Sequence, residues 1–95
     1  MNLKQKITNN LPSTPVGVEV FLFGSILTSE CVNDIDLAII YDKSKLGLKE
    51  AVELRSFLRK HIGGFTDIYS EIVLLSRQEN DEMEFTQNIR TEKII

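Results

Sequence analysis

The sequence predicts an α/β (α+β) fold: a small mixed β-sheet of about three strands with helices packed on it, in one domain spanning residues 1–95. Three observations carry this. Residues 16–23, 33–41 and 69–75 are apolar runs rich in Val, Ile, Leu and Phe, as strands require. Between and after them the apolar spacing turns helical. A chain of 95 residues buries one core and no more, so these elements must share it.

The elements follow in order. Leu3, Ile7 and Leu11 recur at four-residue spacing and predict a short opening helix, which must stop before Pro12. Residues 16–23 (VGVEVFLF) read as a first strand ending at Gly24, with room for a short helix after it. Residues 33–41 (NDIDLAIIY) form the second strand. Ile35, Leu37 and Ile39 take one face of it, and Asp34, Asp36, Ala38 and Ile40 the other. Both faces are apolar beyond the aspartates, which places this strand centrally. Residues 46–61 predict the longest helix, with Ala51, Leu54, Phe57, Leu58 and Ile62 facing inward and Gly63-Gly64 ending it. His61 then sits in its last turn, beside the helix's negative end, a structural place rather than a catalytic one. Residues 69–75 read as the third strand. Ser76-Arg77-Gln78-Glu79 has the form of a capping box, so a last helix starts there, docked by Phe85 and Ile89.

Composition excludes several classes of function. At 42% hydrophobic and 26% charged the chain is neither disordered nor collagen-like. It has no apolar run near the roughly 20 residues of a membrane span and no secretory h-region at its start. Its one cysteine, Cys31, makes no intrachain disulfide, and with one histidine it makes a Cys/His zinc site untenable. A cytoplasmic protein is expected. A net charge of −3 and a pI near 5.1 argue against general nucleic-acid binding. Basic residues gather between 43 and 61, where Arg55 and Arg59 lie one turn apart; they form a solvated face or help hold phosphates.

The chemistry concentrates in residues 21–42, FLFGSILTSECVNDIDLAIIYD. A strand runs into Gly24-Ser25, where a glycine lets the backbone approach a ligand and a helix start would turn N–H groups toward a phosphate. After a gap of eight residues comes Asp34-Ile35-Asp36. Residues i and i+2 share a strand face about 6.6 Å apart. Two divalent cations in phosphoryl-transfer sites sit about 3.5–4 Å apart, a separation that paired carboxylates at this spacing can bridge. Magnesium suits such oxygen ligands. A carboxylate inside an apolar strand, as Asp36 is, needs compensation of this kind.

FLFGS followed by NDIDLAIIYD resembles the signature of the polymerase-β-like nucleotidyltransferase superfamily in its minimal, single-domain form, and the resemblance extends through EIVLLSRQE to cover roughly residues 18–90. It implies that Asp34 and Asp36 ligate two Mg²⁺ ions and that Gly24 and Ser25 hold the β and γ phosphates of ATP or another NTP. A third carboxylate on the last strand would join the catalytic metal and help deprotonate the acceptor hydroxyl. Glu71 fits that spacing, although relatives usually carry aspartate there; Asp67 has the usual residue type but stands four positions earlier. Several minimal members act as antitoxins that adenylylate a small helical HEPN-like partner. With no room for an acceptor-binding lobe, the expected function is AMP transfer to a partner protein's hydroxyl. Two other readings stay open. One is a non-catalytic binding module of this fold. The other is a small-molecule transferase that builds its acceptor cleft as a homodimer.

Overall fold

The computed structural model describes residues 3–28 and 34–95. Its elements are α1 (Leu3–Asn10), β1 (Val18–Phe23), a 3-10 turn (Gly24–Leu27), β2 (Ile35–Tyr41), α2 (Leu48–Thr66), β3 (Ser70–Ser76), α3 (Arg77–Met83), α4 (Phe85–Asn88) and β4 (Thr91–Lys93). The sheet order is β3-β2-β1-β4. β1 runs antiparallel to both β2 and β4, while β2 and β3 are parallel, joined by the crossover helix α2. The mixed sheet is the one predicted, with a fourth strand added. Asn33, taken as the start of the second strand, and Cys31 lie outside the described residues.

Alternation along the strands builds the core. Val18, Val20 and Leu22 of β1, Ile35, Leu37 and Ile39 of β2 and Ile72 of β3 join Ile7 of α1 and Ala51, Leu58 and Ile62 of α2 in one buried cluster. Each fully buried Leu or Ile contributes about 1.5–3 kcal/mol, so this helix-covered face dominates the stability. β2 is buried along nearly its whole length, as expected of a central strand. The register puts Phe21, Phe23, Asp36, Ala38, Glu71 and Val73 on the opposite face.

Several boundaries differ from expectation. β1 starts at Val18, because Gly17 takes φ +89° and leaves Val16 exposed in a turn. α2 does not end at Gly63-Gly64 but runs on to Thr66, and Asp67 caps it at φ +58° with its N–H donating to the Gly63 carbonyl at 3.0 Å. Phe65 packs against the core and continues the Leu58–Ile62 stripe, so tertiary burial overrides the glycines' poor propensity. His61 is therefore not in the last turn. Its Nε2 lies 2.6 Å from the Asn10 carbonyl, and its ring sits between Phe57 and Phe65, a structural role with a different cause. Phe57 faces outward at 52% exposure, since it stands about 120° around the helix from the buried stripe.

β3 begins one residue later than predicted, leaving Tyr69 exposed. The capping box is present: Glu79 N–H donates to Ser76 Oγ at 3.1 Å and Ser76 N–H to Glu79 Oε1 at 2.9 Å. The last helix, however, breaks at Glu84, which takes φ +52°. Phe85 docks as expected, edge-on to Phe23 at 5.3 Å. Ile89 does not dock: it is extended and 40% exposed.

Candidate functional site

β1 ends where the site begins. Gly24 takes φ +78°, a conformation that disfavours any side chain, and turns the chain into the exposed 3-10 turn carrying Ser25. In the antiparallel register the preceding residue, Phe23, is opposite Asp36. The Asp36 carboxylate lies directly against the Gly24 backbone, so that a Cβ at position 24 would overlap Oδ2 and come within 3.1 Å of Cγ. No side chain caps the 3-10 turn.

On the other side of Asp36, the parallel register pairs it with Glu71. Paired positions project to the same face on strands about 4.8 Å apart. Asp34, exposed, immediately precedes β2. The Asp36 carboxyl is held above its usual value, first by burial and then by the negative charges of Glu71 and Asp34. Among the described residues, no basic side chain offsets these effects. A cation bound beside Asp36 would offset the charges that hold its proton.

The structure brings together Gly24, Asp34, Asp36 and Glu71, with Ser25 on the adjoining turn. Asp67 stands apart. It is the exposed C-cap of α2, and Asp36 responds to Glu71 and Asp34 rather than to it. The donor set is all carboxylate oxygen, the chemistry of a magnesium site rather than a zinc site. Among the described residues, no group of three His, Cys, Asp or Glu is drawn close enough to hold one ion.

Two neighbours of the site escaped the sequence reading. β4 pairs Thr91 with Phe23 and closes the β1 edge next to Gly24; a three-residue polar strand has no periodicity to reveal it. The Phe23–Phe85 contact stands on the same sheet face as Asp36, and Phe85 was legible only as a docking residue of unknown target.

The sequence profile of the family described as Polymerase beta, Nucleotidyltransferase matches residues 5–95. No curated protein matches the chain. A crystal structure of a protein assigned as a nucleotidyltransferase superposes with a TM-score of 0.51 at 21% identity, over 95% of this chain and 91% of that one, a likeness of fold.

Proposed function

The chain belongs to the polymerase-β nucleotidyltransferase family, and from that premise we propose that it is a magnesium-dependent enzyme transferring AMP from ATP to a hydroxyl on a partner protein. The observation that carries this reading is the position of Asp36. It is pressed against the Gly24 backbone on one side and paired with Glu71 on the other.

In this reading Asp34, Asp36 and Glu71 hold two Mg²⁺ ions, and Gly24 and Ser25 hold the β and γ phosphates. The bound metal supplies charge neutralisation and polarises the α-phosphoryl group. A bond forms between the acceptor oxygen and the α-phosphorus as the bond from that phosphorus to the bridging β-phosphate oxygen breaks, releasing pyrophosphate. Glu71 takes the acceptor's proton on its carboxylate. The acceptor is a small helical protein of the HEPN type, which places the chain among antitoxin-like members acting in the cytoplasm.

Incubating the chain with such a partner and Mg-ATP, followed by intact-mass spectrometry, should show the partner heavier by AMP units. The Asp34→Ala/Asp36→Ala double variant, still folded by circular dichroism, should leave it unmodified. Equal modification by that variant overturns the assignment.

One observation favours a second reading, a module that neutralises its partner by contact. The described carboxylates do not close into a ready-made metal cluster. Calorimetry with a non-hydrolysable ATP analogue and magnesium separates the two, since only the enzyme needs to bind it.

A further inference from the structure

The opening helix α1 is eight residues long, and isolated helices shorter than about 12–15 residues are marginal in water. Its place is therefore set by what ties it down. Near its start the Lys4 ammonium pairs with the Glu92 carboxylate of β4. In its middle Ile7 is fully buried, in the same core cluster as Ile26 of the 3-10 turn. At its end His61 Nε2 donates to the Asn10 carbonyl at 2.6 Å, across 51 residues of chain. We propose that His61 is a positioning residue for the site: its hydrogen bond holds α1 against the turn that carries Gly24 and Ser25, and so sets where the phosphates are held. The proposal rests on the reading of that turn as the phosphate holder.

The geometry of the latch supports this. Asn10 is the last residue of α1, and carbonyls of a helix's last turn find no partner within the helix. A donor placed there satisfies one of them and complements the helix's negative end. A carbonyl only accepts, so the proton sits on Nε2. Packing keeps the ring aimed: it stacks on Phe57 at 5.9 Å, with 21° between the planes, and meets Phe65 edge-on at 5.4 Å. Phe65 in turn packs against the core, so the donor projects from an anchored part of α2.

The turn at the other end of this chain of contacts has little else to hold it. It is four residues long without a side-chain cap, and α1 packs on it beside β1 and β2. A displaced α1 therefore reaches Gly24 and Ser25 through Ile26. Asp36 and Glu71 are held by the paired strands β2 and β3 and do not depend on α1.

The test uses the full chain, magnesium and the non-hydrolysable analogue α,β-methylene-ATP, with two substitutions that divide the contacts of the histidine. His61→Phe keeps a ring between Phe57 and Phe65 but has no donor. His61→Gln loses the ring but keeps an N–H at a similar reach. Calorimetry well below the melting temperature should show His61→Phe binding the magnesium–analogue complex roughly threefold to tenfold more weakly, the worth of one hydrogen bond. His61→Gln should stay close to the parent, and magnesium alone should bind all three chains alike. Amide shifts of Gly24–Leu27 should move in His61→Phe, and the α1 amides should exchange faster. Parental affinity for the analogue in folded His61→Phe, an equal loss in His61→Gln, or an equal weakening of magnesium alone overturns the proposal and leaves the transfer reading in place. A parent that binds no analogue overturns that reading, and this proposal with it.

Discussion

Gly24 and Asp36 are in such close approach that the space a Cβ would take at position 24 is already filled by the Asp36 carboxylate. One contact thus joins the end of β1 to the start of β2, and it fixes where the Gly24 backbone stands relative to the acid. Gly24→Ala meets two penalties, a positive φ of 78° and this overlap. The left-handed conformation alone costs about 1–2 kcal/mol for a residue with a Cβ. A loss of about 2–3 kcal/mol in urea unfolding is expected, with transfer activity falling further than stability explains, because Asp36 must move. Unchanged activity in folded Gly24→Ala would remove Asp36 from the reaction.

Asp36 also sets a pH dependence. Its carboxyl is raised above the ordinary 3.8 by burial, Glu71 and Asp34. The native state therefore keeps this proton to higher pH than the unfolded chain, and stability falls as pH rises from 3.8 through the native value. Above that window the ionised group opposes folding. Asp36→Asn should raise the melting temperature at neutral pH in metal-free buffer, and the gain should vanish in acid. Magnesium should raise the melting temperature of the parent but hardly that of Asp36→Asn. A parent melting curve indifferent to millimolar magnesium would contradict the metal assignment.

Much of this was legible in the sequence, and the failures have physical causes. The strands bearing Phe23 and Asp36 are strongly patterned, and an aspartate inside an apolar strand stands out because burial makes it expensive. Glu71 entered only through the family resemblance, with Asp67 as the alternative, and the parallel register is what pairs it with Asp36. The end of α2 was misplaced because Gly63-Gly64 is a local stop signal, and what overrides it, the burial of Ile62 and Phe65, depends on the assembled sheet. The contact of His61 with Asn10 gave no signal at all. The two stand 51 residues apart and meet only in the assembled fold.

The continuous helix makes its own prediction. Gly63 and Gly64 lie inside α2, neither has a positive φ, and a Cβ at either meets nothing within 4 Å. Gly64→Ala should stabilise the chain by about 0.5–1 kcal/mol, the ordinary helix-interior difference. Thermal or urea unfolding reads this directly, and a destabilised Gly64→Ala would mean that the helix ends where the glycines suggest.

At the start of α3, Ser76 and Glu79 satisfy each other's N–H groups. Ser76→Ala should destabilise by about 1 kcal/mol. The Glu79 carboxyl is held below its usual range by its hydrogen bonds to the Ser76 backbone and hydroxyl. The sign is opposite to that of Asp36. This contribution is present above the unfolded-state value and is lost as pH falls through the native one. Stability curves of the parent and Glu79→Gln should therefore converge in acid, whereas Ser76→Ala keeps the backbone N–H that donates to Glu79 Oε1 and with it most of the pH dependence; parallel parent and Glu79→Gln curves from pH 3 to 7 (roughly the carboxylate range) would show that the cap is not ionic.

The choice of third carboxylate is open to a paired substitution. Glu71 shares the Asp36 face and register, while Asp67 caps α2 at φ +58° on the connection before β3. Glu71→Gln keeps the shape of the side chain but removes the carboxylate proposed as metal ligand and proton acceptor. General-base catalysis contributes about 10²–10⁴ in rate, so a loss in kcat of that size is expected, with the pH dependence of the remaining rate flattened. Asp67→Asn preserves the left-handed cap, because asparagine tolerates that conformation, and should leave kcat within about twofold, the scatter expected for a group outside the reacting set. The reverse result, activity surviving Glu71→Gln but not Asp67→Asn, would require the segment between α2 and β3 to move toward Asp36 when substrate binds.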